Sequence, residues 1–234
     1  MNHPSLVPIA HHCLTFAPGF DFQGNLVLLS LARMGHLLLL GPHPLVHLHL
    51  SNMLDQLVEH HDEGELALLF LNEHAPAATH FRHLPHCIMP ASFQEFIAEQ
   101  PWKGPAGRPF VVIVVEHPEQ VEEQHPGLLY RLFFEGAKGP LAVVVTASTA
   151  PGLLIEANTT TQIFFPPSRE ALDSVPGLRE ILSTSIPQGI SHPLLLRSYG
   201  KGQWLSSLPL ELEARGRSSQ QTNEREQGRR RERG

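Results

Sequence analysis

Cysteine is almost absent. The 234-residue chain carries two, Cys13 and Cys87, and no C-x-x-C pair, which argues against a disulfide framework and fits a reducing compartment. Long apolar runs are missing as well. The greasiest stretch, residues 26–41, is interrupted by Arg33, Gly35 and His36 and falls short of the roughly 20 apolar residues of a membrane-spanning helix. The opening MNHPSLVPIA has no basic segment followed by an apolar one, so no signal peptide is read. There is no G-x-S-x-G elbow, and neither cysteine has the surroundings of a nucleophile, so nothing points to a hydrolase. No internal repeat is found. These absences lead to the expectation of a soluble, cytoplasmic protein with no membrane contact.

What is present begins with an uneven charge. The formal net charge is -6, yet residues 214–234 hold seven arginines against three glutamates, leaving ten basic and twenty acidic residues in the rest. An acidic body argues against a broad nucleic-acid surface. The tail, without an apolar face, is expected to be disordered. Arg229, Arg230, Arg231 and Arg233 are its candidate nucleic-acid contacts, through charge and counterion release; the competing reading is a terminus that only keeps the chain soluble. The expected organisation is one domain over residues 1–213 and a tail over 214–234.

Hydropathy patterning within the body alternates between strands and helices. Residues 6–29 read as short β segments, with APGFDFQGN supplying turn chemistry. The run LLLL at 37–40, closed by Gly41, reads as a buried parallel strand. Apolar residues at Leu50, Met53, Leu54, Leu57 and Val58 recur at helical spacing and predict a helix over 45–59. Further strands are expected at 65–72, 108–117, 140–148 and 161–165, and a terminal β segment within 202–216. Helices are expected at 92–100, where Ser92 and Glu95 fit a capping box, at 118–136, and at 168–183. Strands apolar on both faces, alternating with helices, indicate an α/β architecture with a parallel sheet.

The order of these pieces resembles the motor domain of FtsK-type DNA translocases, a branch of the RecA-like P-loop ATPases. FQGNLVLLSLARMGHLLLLG (22–41) is similar to the family's entry strand, its D-L-A-K-M-P-H link and the strand into the phosphate loop. GELALLFLNEH and HLPHCIMP resemble the second strand and its I-P-H-L link. RPFVVIVVEHPEQV falls where the family carries its Walker B strand, and LLYRLFFEGAKGPLAVVVTAS where a helix and strand lead to the sensor glutamine. LLIEANTTTQIFF is similar to L-I-K-A-N-I-P-T-R-I-A-F, and YGKGQWLSSLP to G-R-G-D-M-L-Y-L-P. The resemblance covers residues 6–213. It implies a RecA-like P-loop fold with a mostly parallel central sheet flanked by helices.

The family's functional residues carry over badly. A phosphate loop uses glycines for backbone N–H groups, a lysine for charge and a hydroxyl for magnesium. Aligned from Gly41, the lysine falls on His47 and the hydroxyl on Leu48, while the later glycines fall on Pro44 and Val46. The Walker B pair, an Asp for magnesium and a Glu to activate water, falls on Glu116 and His117. The sensor glutamine is missing near Ala147 and Ser148, and the arginine of the A-N-I-P-T-R block is Gln162. Gly41, His47, Leu48, Glu116 and His117 are therefore vestigial nucleotide-site positions, and neither catalytic residues nor a cofactor is expected. The resemblance implies a pseudo-ATPase with a structural or regulatory role. Its partners would be further copies of itself or an active FtsK-like ATPase, with DNA reached through the tail.

Two other readings stay open at the level of sequence. One is an ATP- and magnesium-binding translocase with an unorthodox site, Glu116 holding the metal. The other is a metal-binding protein, since the chain has 16 histidines and HAPAATHFRHLPHC brings His80, His83, His86 and Cys87 close in sequence. The spacing, interrupted by Pro85, matches no zinc motif, and a polar histidine-bearing loop without metal is expected there.

Overall fold

The computed structural model describes residues 14–72, 74–88, 109–136, 139–149, 151–165, 193–199 and 201–208. The helices expected over 92–100 and 168–183, and the tail with Arg229, Arg230, Arg231 and Arg233, lie outside the described residues, as does Cys13.

The chain opens with β1 (Thr15–Phe20) and β2 (Leu26–Ser30). The Asp21 carboxylate shapes the turn between them by accepting the amides of Gln23 and Asn25. After the short α1 (Leu31–Met34) come β3 (Leu37–Leu40), α2 (His43–His60), β4 (Leu66–Phe70) and α3 (Pro76–Phe81). Then follow β5 (Phe110–Glu116), α4 (Pro118–Gln124), α5 (Leu128–Gly136), β6 (Leu141–Ala147) and α6 (Leu153–Asn158). The described elements end with β7 (Thr161–Phe164), β8 (Pro193–Ser198) and β9 (Lys201–Ser207).

The nine described strands join one sheet in the order β2-β1-β9-β8-β7-β3-β6-β5-β4. The expectation of a mostly parallel sheet needs correction, because the sheet is mixed. From β7 to β4 the four neighbouring pairs are parallel, and from β2 to β7 the four are antiparallel. The physical reason lies in the connections. β1–β2 and β8–β9 are joined by a few residues each, enough for a hairpin but not for the crossover that parallel neighbours require.

Strand side chains alternate between two apolar layers. Leu37, Leu39, Val112, Val114 and Val144 pack on one face with Leu50, Leu54 and Leu57 of α2 and Phe81 of α3. Leu38, Leu40, Ile113, Val115 and Val145 pack on the other with Val121 of α4, Leu132 and Phe133 of α5, and Ile155 of α6. The parallel strands are thus buried on both sides, which is why they read as unbroken apolar runs.

Several elements depart from expectation. α2 begins at His43 rather than 45, since Pro44 is well suited to a first helical turn. The helix expected over 118–136 divides into α4 and α5, because Gly127 has φ +76° and its amide donates to the Glu122 carboxylate at 2.6 Å. The polar loop expected around His80 contains α3, and β8 was not anticipated. Among the described residues no helix is long and apolar enough to cross a membrane.

Candidate functional site at the carboxyl ends of the parallel strands

β3 and β6 are neighbours whose following helices depart to opposite faces of the sheet, α2 to one and α6 to the other. In an open α/β sheet the crevice at such a point is where ligands bind. A cleft of 420 Å³ lies there, bordered by His43, His117, Glu119, Glu122, Thr146 and Ser148 among others.

Only Gly41 and Pro42 separate β3 from α2. The Gly41 amide donates to the Ala147 carbonyl at 3.1 Å, and the amides of Leu45 and Val46 both donate to the Pro42 carbonyl. Pro44 has no N–H, so of the first four residues of α2 only His43 retains a free amide. Gly41 itself is needed for close approach. A Cβ there would lie 2.8 Å from the Phe165 Cβ, and Phe165 in turn donates its amide to the Leu40 carbonyl.

No family model matches the sequence, and no curated protein does. Solved structures match the fold. The cytoplasmic domain of the Type VII secretion ATPase EccC of Thermomonospora curvata superposes with a TM-score of 0.59 at 14% identity, covering 86% of this chain and 30% of that one. The pCW3 conjugation coupling protein TcpA, a monomer form with ATPgS, gives 0.58 at 11% identity, covering 83% of this chain and 65% of that one. EssC (ATPases 2 and 3) of Geobacillus thermodenitrificans gives 0.55 at 13%, covering 82% and 40%. The chain shares its fold with these three proteins. The chain spans less than two thirds of the length of each of these three structures.

Within this fold the positions singled out from the sequence fall as follows. Glu116 ends β5 and is 3% exposed. Its Oε1 accepts the Ala77 amide at 3.3 Å, so the carboxylate caps the first turn of α3, whose own N-cap, Ala75, offers no side-chain bond. Its Oε2 lies 3.8 Å from His47 Nδ1, a buried atom without a hydrogen-bond partner. His47 is therefore not a free surface residue; it sits against the buried carboxylate. Leu48 is half-buried and does not border the cleft.

The imidazoles line up. The His43 ring lies nearly parallel to His47 at a centroid separation of 6.3 Å and to His117 at 5.7 Å, and His117 Nδ1 is 3.5 Å from Glu119 Oε1. Three histidines thus form a column with a carboxylate at each end. His117 holds its place with φ +59° and ψ +63°, in the left-handed region, which costs a β-carbon-bearing residue of order 1 kcal/mol. His117→Gly is accordingly expected to be about 1 kcal/mol more stable in urea denaturation than His117→Ala, since both lose the ring and only alanine keeps the strain.

Gln162, in the position of the missing arginine, is buried, and its Nε2 donates to the Thr159 carbonyl at 3.2 Å and towards Thr159 Oγ1 at 3.3 Å, closing the end of α6. The candidate metal ligands do not converge. His80 and His83 are exposed, His86 Nε2 donates to the His61 carbonyl at 2.7 Å, and the half-buried Cys87 pairs with Leu68 in a β-bridge. Burial pushes the Cys87 thiol above its ordinary pKa. Among the described residues no three His, Cys, Asp or Glu side chains form a metal-ligand group.

Sequence reasoning passed over His36. It is buried, accepts the Val143 amide on Nδ1 at 3.1 Å and meets the Phe133 carbonyl with Nε2 at 3.1 Å. Because Nδ1 accepts, Nε2 carries the proton and donates. The ring thereby joins the start of β3 to β6 and α5, at the end of β3 opposite Gly41. Its only signal in the sequence was a polar residue at the start of an apolar run.

Proposed function

We propose that this chain keeps an FtsK-type fold without its ATP chemistry and acts as a non-hydrolysing structural or regulatory domain. The observation that carries the reading is the two-residue connection between β3 and α2. A triphosphate is held by successive backbone amides that curl around it, with a lysine and a hydroxyl beside them. Here the Gly41, Leu45 and Val46 amides are committed to carbonyls, a proline removes another, and the first turn of α2 stands where a cradle would be. Glu116 supports the same reading, since its Oε1 caps α3 and its Oε2 faces the His47 ring. The residues do not fit a nucleotide with its magnesium.

On this reading the domain docks with further copies of itself or with an active ATPase of the same fold, and its arginine tail supplies charge towards DNA. Two measurements test it. Purified protein, with magnesium and ATP, should release phosphate no faster than the Glu116→Gln variant, and calorimetry with a non-hydrolysable analogue should show no saturable heat at millimolar ligand. Turnover that saturates with ATP and disappears in Glu116→Gln would instead establish a working site of unusual construction. The partner half of the proposal fails if native-host pull-downs recover no ATPase of this fold and the protein sediments as a monomer.

A further inference from the structure

The two edges of the sheet are finished differently. At β4 the edge is covered: Leu68 donates its amide to the His86 carbonyl and Ile88 donates to the Leu68 carbonyl, so the segment around Cys87 lies along the strand. Among the described residues β2 has no such cover and pairs with β1 alone. The direction of its free backbone groups follows from the hairpin. Asp21 donates to the Asn25 carbonyl at one end, and Leu31 donates to the Leu14 carbonyl at the other. Bonded pairs alternate along an antiparallel ladder, so Asn25, Val27, Leu29 and Leu31 are turned towards β1. The amides and carbonyls of Leu26 and Leu28 therefore point to the open side, as does the Ser30 amide.

The side chains leave that edge unguarded. Leu26 and Leu28 are 48% and 62% exposed, and Phe22 in the adjoining turn 58%, while Val27 and Leu29 pack on the apolar layer of α2. Edge strands are ordinarily protected by lysine, proline or a bulge. Leu26–Ser30 contains no charge and no proline, and the register shift of the hairpin falls between Phe16 and Gly19, in β1. Charges stand only beyond its ends: residues 22–32 carry none, Asp21 precedes them and the exposed Arg33 follows. Two copies of β2 laid antiparallel about a two-fold axis at Leu28 set Leu26 opposite Ser30. The Asp21 end of each strand then lies beside the Arg33 end of the other, whereas parallel pairing would set like charge beside like. From this we infer that β2 is a self-docking edge: a second copy of this chain adds its own β2 antiparallel, with Leu28 facing Leu28 across the axis. The inference rests on the half of the proposal that pairs the chain with further copies of itself, and names the surface; it does not depend on the loss of ATP chemistry.

Sedimentation and amide hydrogen exchange of the full chain test it, over a range of about 5 to 500 µM because an interface of one short strand is a weak one. The parent protein should pass from monomer to dimer. The amides of Leu26, Leu28 and Ser30 should gain protection as it does, while those of Val27 and Leu29, already turned to β1, should change little. Leu28→Lys and Leu28→Glu each set like charges directly opposite one another, so each alone should weaken the dimer at least tenfold. Leu28 is exposed, so circular dichroism and the melting temperature of the monomer should hold. Mixed one to one, the two variants should dimerise again, which requires residue 28 to face its counterpart. The inference is overturned by a parent chain that stays monomeric or by protection that does not vary with concentration, the edge then being covered within one chain. A dimer indifferent to Leu28→Lys, or a mixture of the two variants that stays monomeric, overturns it equally. A dimer indifferent to Leu28→Lys, or a monomer that still captures an active ATPase of this fold, would leave the docking half of the proposal standing on another surface.

Discussion

His36→Ala is expected to destabilise the protein by about 3 kcal/mol, measured by urea denaturation. The ring satisfies two groups in the deepest part of the sheet, the Val143 amide and the Phe133 carbonyl. Val143 is 0% exposed and Phe133 2%, so water cannot replace the lost partner, and each buried orphan costs about 1–3 kcal/mol. The ring also packs edge-on against Phe133, with centroids 5.0 Å apart. Against a usual total of about 5–15 kcal/mol, such a loss is visible at once in the melting curve. A cost below about 1 kcal/mol would mean that solvent reaches Val143.

The same residue sets an acid limit. Burial pushes His36 below its ordinary pKa of 6.5, the bond to the Phe133 carbonyl opposing it more weakly. In the unfolded chain the imidazole titrates near its ordinary value, so below that pH the unfolded state binds the extra proton and the folded state does not. The contribution of His36 is therefore complete above about pH 6.5 and is lost as the pH falls through the lowered value in the folded protein. Protonation would also place a hydrogen on Nδ1, facing the Val143 N–H. Relative to the parent, a His36→Gln variant should lose less stability between pH 7 and pH 5.

Gly41→Ala is expected to cost about 2–3 kcal/mol, as overpacking against a fixed neighbour does. The new methyl would meet the Cβ and carbonyl oxygen of Phe165 at 2.8 and 3.1 Å, and neither can swing aside as the end of a flexible side chain could. Gly127→Ala is the control. That glycine also has a positive φ, +76°, but a Cβ there meets nothing within 4 Å, so only backbone strain of about 1 kcal/mol applies. If both variants melt alike, the approach of β7 to the end of β3 is looser than described. If Gly41→Ala is the worse, the glycine that looked like the start of a phosphate loop is retained for the sheet.

That contrast shows where the sequence could be read and where it could not. β3, β5 and β6 announce themselves because burial on both faces leaves no polar residue in β3 and only Glu116 and Thr146, at the carboxyl ends, in β5 and β6. α2 was legible from the spacing of Leu50, Met53, Leu54 and Leu57, but its start was not, because it opens on His43 and Pro44 with no side-chain cap before them. α3 escaped because its capping group comes from Glu116, 39 positions from Ala77; a local window contains no such partner. His36 escaped for the same reason, with partners 97 and 107 positions away. At the site, Glu116, His47 and His117 were singled out through the resemblance, but their arrangement was not legible. His43 was not singled out, and its place between two other imidazoles depends on α2 beginning two residues early.

The seam between β1 and β9 bears on how the chain is made. It consists of two paired positions, Gly19 with Ser207 and Phe20 with Ser206, and it joins strands from opposite ends of the described sequence. A ribosome delivers β1 and β2 first and can complete the parallel block through β7 long before β8 and β9 emerge. Until then the hairpin is held to the rest through side chains: Phe16, Val27 and Leu29 pack in the apolar layer of α2, and the Gln56 side chain bonds both the amide and the carbonyl of Ala17. β7 meanwhile presents an open edge flanked by buried-type residues, the kind of surface that recruits stray strands and holding chaperones. Nascent chains released before Ser207 would therefore share a helix-covered parallel half but lack the two strands that bridge it to the first hairpin, and solubility during synthesis would hinge on the last strand to arrive.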